Sequence, residues 1–130
     1  MFVVVDTNIL VSAFWSSNGN PAKIVGLIQN RIITPCYDYR IIEEYEEVLS
    51  RTRFGFDEWE INNFLSQIKD DGMSVVVKAA NIPFIDESDK KFYEVAKYCK
   101  AKLITGNIRH FPTCDIHVIT PADFLGSFKF

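Results

Sequence analysis

Phe2, Val3, Val4 and Val5 form an unbroken β-branched and aromatic run that stops at Asp6. Such a run reads as a strand buried on both faces, as in a parallel sheet covered by helices. Shorter runs of the same kind at Arg31–Pro35, Met73–Val77, Lys102–Thr105 and Ile116–Thr120 make five candidate strands. Between them the apolar spacing changes to the helical period. After the polar loop at Ser16–Asn20, helices are predicted over Pro21–Gln29, Arg40–Arg51, Asp57–Lys69 and Asp89–Lys100. In the last of these Phe92, Val95, Ala96 and Cys99 share one face, with Lys90, Lys91, Glu94 and Lys97 turned outward. Strands alternating with helices imply right-handed crossovers and an α/β fold, a three-layer α/β/α sandwich around a mostly parallel sheet of about five strands. The tail opens a further helix at Pro121, and its Phe124, Leu125, Phe128 and Phe130 are expected to cover the core at a sheet edge, the alternative being to pack against another subunit.

A chain of 130 residues, 48% hydrophobic, suits one domain over 1–130. No apolar run reaches the roughly 18 residues of a spanning helix, and Met1–Val5 lacks the basic start of a signal peptide. The expectation is a cytoplasmic protein without a membrane partner. Three cysteines, Cys36, Cys99 and Cys114, with no CxxC pair speak against a disulfide framework or a thiol redox motif. The net charge of −3 argues against a broadly basic surface for nucleic acid. Acid gathers in residues 38–89 and Lys and Arg in residues 90–130. A phosphate-binding chain of this balance needs a cation to mediate, and Mg²⁺ or Mn²⁺ is the natural choice.

Ligands of open parallel sheets bind beyond the C-terminal strand ends. The pattern delivers Asp6 and Asn8 to that rim after the first strand, Glu43 or Glu44 after the second, Asp86 and Asp89 before the fourth main helix, and Asn107 after Lys102–Gly106. Taken alone, Asp89 beside Ser88 reads as a helix cap. Taken together, carboxylates from three segments repel unless a cation lies among them. Oxygen donors without a His/Cys set favour Mg²⁺ or Mn²⁺ over zinc. Of the four glutamates in the second main helix, Glu43 and Glu47 lie opposite its apolar arc, and Glu44 and Glu46 border it. Glu44 is preferred because it is nearer the helix start and so nearer the rim.

Four segments, FVVVDTNILVSAF, YRIIEEYEEVLSRTRF, DESDKKFYEVAKYCKAKLITGNIRHF and ITPADFL, resemble the PIN-domain family in this order. The resemblance spans essentially the whole chain and is greatest to the toxin-like, VapC-type branch associated with toxin–antitoxin pairs. It implies an endoribonuclease that uses Mg²⁺ or Mn²⁺ to hydrolyse RNA phosphodiesters, with an antitoxin and a second copy of the chain as possible protein partners. Position by position it assigns Asp6, Glu44 and Asp89 to metal binding and catalysis. Asn8, Asp86, Thr105 and Asn107 then orient ligands and water from behind, while Lys90, Arg109 and His110 are candidates for phosphate contact. The family commonly carries an aspartate where this chain has Asn107. An amide keeps an acceptor oxygen without the charge, so a second ion should be held weakly or not at all. The alternative is a PIN-fold module that binds RNA or protein with little catalysis.

Other readings have less support. His110, Cys114 and His117 lack a well-placed fourth zinc ligand. Phe14 and Trp15 resemble a base-stacking platform but read better as packing. A dehalogenase-like phosphatase needs a second Asp where Asn8 stands, and a receiver domain needs a Lys where Pro121 follows the last strand.

Overall fold

The computed structural model describes residues 1–79, 82–84, 86–113 and 115–128. Its elements run β1 (Phe2–Val5), α1 (Thr7–Trp15), α2 (Asn20–Gln29), β2 (Thr34–Tyr37), α3 (Tyr39–Leu49), α4 (Glu58–Asp71), β3 (Met73–Ser74), α5 (Lys90–Cys99), β4 (Lys102–Ile104), β5 (Val118–Ile119) and α6 (Pro121–Ser127). All strand pairings are parallel, in the order β3-β2-β1-β4-β5, as expected of an α/β/α sandwich. Val3, Val4 and Val5 are at most 1% exposed, which is why β1 has no polar alternation. The order reverses about β1, since the chain steps from β1 to β2 on one side and returns to β4 on the other.

One helix was absent from the sequence reading. Thr7–Trp15 follows β1 with only Asp6 between them. The β2 expectation lay too early, because Arg31 takes a left-handed conformation (φ 59°) at the end of α2 and the strand begins at Thr34. Pro35 is tolerated inside β2 because alternation turns its missing N–H away from β1, to which the Thr34 N–H bonds through the Met1 carbonyl. β3 is an edge strand of two residues, shorter than expected, and Val76 beyond it is 91% exposed. Gly72, before β3, is required by close approach. A Cβ there would lie 2.5 Å from the Ile68 carbonyl oxygen and 2.8 Å from that of Pro35.

The core joins the three valines of β1 to Ile41 and Tyr45 of α3, Phe64 and Ile68 of α4, and Phe92 and Val95 of α5. Phe124 of α6 is buried, with Leu125 and Phe128 packed beside it, so these three cover the core as expected, while Phe130 falls outside the described residues. Phe14 packs on Phe56 and Phe64, and Trp15 meets Phe54 and Phe56 edge-on, so both aromatics pack as expected although Trp15 stays largely exposed. Glu94 corrects the outward reading of the α5 polar face. It is buried and pairs with Arg40 at 2.8 Å, while Arg40 also holds buried Asp38 at 2.7 Å. Among the described residues, no helix is long and apolar enough to cross a membrane.

Candidate metal centre

The reversal of strand order leaves a crevice at the C-terminal ends of β1 and β4, the place where parallel sheets bind ligands. Asp6 follows β1 and Thr105 follows β4, so the two flank this crevice. The Asp6 N–H donates to the Ile104 carbonyl at 3.0 Å, which fixes its main chain to the neighbouring strand. Its side chain accepts from Thr105 Oγ1 at 2.7 Å, and Thr105 in turn accepts the Asn107 N–H at 3.0 Å. Asp6 precedes α1 in an extended conformation suited to a helix cap but makes no side-chain capping bond. The carboxylate accepts from Thr105 instead.

Burial pushes the Asp6 carboxyl up to about 6. The Thr105 hydroxyl and the Thr7 N–H pull it down, while the charges of Asp89 and Glu44 push it further up. Asp6 thus feels the charges of both Glu44 and Asp89, and Asp89 that of Glu44. Asp89 is also raised, first by burial, then by the charges of Asp86 and Glu44 acting against His110.

Each carboxylate has its own partner. Glu44 accepts from the Thr7 hydroxyl through one oxygen and pairs with Lys91 Nζ at 2.7 Å through the other. Asp89 lies 3.1 Å from His110 Nδ1. Among the described residues, no three His, Cys, Asp or Glu side chains close into a ligand cage as they stand.

The remaining expected residues divide. Asp86, not Asp89, is the capping carboxylate. It accepts the Ser88 N–H at 2.9 Å and the Ser88 hydroxyl at 2.7 Å, bonds that hold its carboxyl below the usual range. Asn8 lies in α1, and its Oδ1 is buried without a hydrogen-bond partner beside Gly106. Asn107 and Arg109 are exposed in the turn after β4. His110 is tied to Asp89, and Lys90 lies 3.7 Å from Glu87. Of the zinc pattern, Cys114 falls outside the described residues. Glu43 is exposed, Glu46 pairs with Lys69 and Glu47 with Arg51, which leaves Glu44 as the helix glutamate at the rim. Sequence reasoning missed Thr7 and Lys91. Lys91 follows Lys90 on what reads as one solvated face, and only the packing of α5 against α3 distinguishes them.

The donor set suits a hard divalent cation. It comprises carboxylate oxygens from three segments, a carboxyl destabilised as an anion by burial, and an orphaned amide oxygen.

The PIN-domain family matches residues 2–109. The chain belongs to the PIN-domain family. PIN domains are generally nucleases and typically use divalent metal ions. No curated protein matches the chain in sequence. Among solved structures it is similar to a chain of VapBC2 from Rickettsia felis bound to a DNA fragment from their promoter. The TM-score is 0.58 at 14% identity, over 92% of this PIN domain and 98% of that chain. At that identity the likeness is one of fold.

Proposed function

We propose that this PIN domain is a metal-dependent endoribonuclease, the toxin component of a toxin–antitoxin pair, acting in the cytoplasm. What supports the reading is the buried Asp6 carboxyl beside the β1/β4 crevice, raised to about 6 by burial and further by the charges of Asp89 and Glu44. A carboxylate in that setting is relieved by a cation.

In this reading Asp6, Glu44 and Asp89 hold Mg²⁺ or Mn²⁺, with Asn8 orienting ligands or water from behind. When bound, the ion acidifies water and neutralises charge on the phosphate under attack. Thr105 keeps Asp6 aimed into the crevice through its 2.7 Å bond, and the Asn107 N–H fixes the Thr105 hydroxyl so that its proton points to Asp6. His110 steadies Asp89. A cleft of about 660 Å³ runs beside Glu44, lined by Lys90 and by the acids Glu43, Glu47 and Glu87 among others. Lys90 there and Arg109 in the exposed turn after β4 are the cations assigned to the RNA backbone.

The fold shared with VapBC2 supports an antitoxin as protein partner. Asn107 favours a second reading, a binding module with weak catalysis, because one family carboxylate is missing at the rim. Mapping new RNA 5′ ends in cells expressing the chain or its Asp89→Ala variant separates the two. The ribonuclease reading expects ends made only by the unaltered chain, and identical ends from both overturn it.

A further inference from the structure

Lys91 is the residue at the rim that the family reading leaves without a task. It is the second residue of α5, its side chain is 13% exposed, and its Nζ sits 2.7 Å from Glu44 Oε1. The ammonium also donates to the Ser88 carbonyl and lies 5.1 Å from the Phe92 ring centroid, so three neighbours define its position. The other Glu44 oxygen is taken by the Thr7 hydroxyl. A surface lysine has many rotamers of similar energy, whereas this one is packed and pointed at a carboxylate of the candidate centre.

We infer that Lys91 is a built-in cation of the metal centre, filling through Glu44 the electrostatic place of a second divalent ion and limiting the site to one. The inference rests on the metal-centre reading above and deepens it. Charge counting supports it. Asp6, Glu44 and Asp89 bring three negative charges when ionised, and Lys91 leaves two, which one divalent ion balances. A second ion would make the centre net positive before any phosphate arrived, with no carboxylate at Asn107 to hold it. The ammonium donates three hydrogen bonds in a compact head, so it can keep Glu44 placed while Glu44 turns a remaining lone pair to the ion. Lys91 is therefore a positioning residue for Glu44 and a determinant of metal number.

The test counts Mn²⁺ bound to metal-free protein by electron paramagnetic resonance, which needs no cleavage activity. The unaltered chain should bind one ion. Lys91→Met, or Lys91→Gln should the first fold poorly, should bind a second ion. Lys91→Arg, which keeps the charge, should again bind one. One ion on both Lys91→Met and Lys91→Gln, at whatever affinity, overturns the inference, as do two ions on the unaltered chain. No binding by any of these chains overturns the metal-centre reading itself, and this inference with it.

Discussion

Thr105 Oγ1 donates to Asp6 Oδ2 at 2.7 Å, joining the ends of β4 and β1 across the point where the strand order reverses. The bond stabilises the anion of a carboxyl that burial otherwise pushes up. Thr105→Val keeps the shape and removes the donor, so the Asp6 carboxyl should rise further above about 6. The lost bond should cost about 1–2 kcal/mol, or roughly one pH unit. Mn²⁺ binding followed against pH should show its midpoint displaced upward by that amount.

Asp6 also makes stability depend on pH. Its carboxyl titrates near 6 in the folded chain against an ordinary 3.8, so the folded state holds that proton more tightly. The resulting penalty is complete above about pH 6 and disappears below about pH 4. Without divalent ions, Asp6→Asn should be about 2 kcal/mol more stable than the unaltered chain at pH 7.5 and no more stable at pH 4. Urea unfolding at the two pH values measures the difference.

Removal of Arg40 should be costly for a different reason. Its guanidinium bridges Asp38, which caps α3, and Glu94 on α5, and both carboxylates are buried. Arg40→Met would take the guanidinium away from two buried carboxylates, a loss of about 3–5 kcal/mol. Thermal unfolding of that variant should start far below that of the parent at neutral pH.

Gly72→Ala should destabilise through backbone crowding alone. The added Cβ would meet the Ile68 and Pro35 carbonyl oxygens at 2.5 and 2.8 Å, so the entry of α4 into β3 must shift. A cost of about 2 kcal/mol or more is expected. Hydrogen exchange should report it as lost protection at the Val75 N–H, which bonds the Tyr37 carbonyl beside the edge strand.

Much of this arrangement is legible in the sequence because β1 is buried on both faces and must be apolar throughout, which places Asp6 at a strand end. The helical arc of α3 likewise narrows four glutamates to two, and proximity to the rim selects Glu44. Helix α1 is not legible for the same reason that β1 is. Its Asn8-Ile9-Leu10-Val11 stretch continues the apolar run, and its cap residue spends its carboxylate on Thr105 instead of announcing a helix start. The roles of Lys91 and Glu94 were hidden because both sit on a charged face of α5 that periodicity assigns to solvent. Packing against α3 supplies each with an opposite charge from far along the chain, a partnership no local pattern encodes.

If Asp6 helps to hold the ion on which RNA hydrolysis depends, purified protein should cleave a single-stranded RNA with Mn²⁺ and not with EDTA. Asp6→Asn, with its fold intact, should lose about a hundredfold or more. Equal cleavage by Asp6→Asn, or cleavage that survives EDTA, would rule that role out.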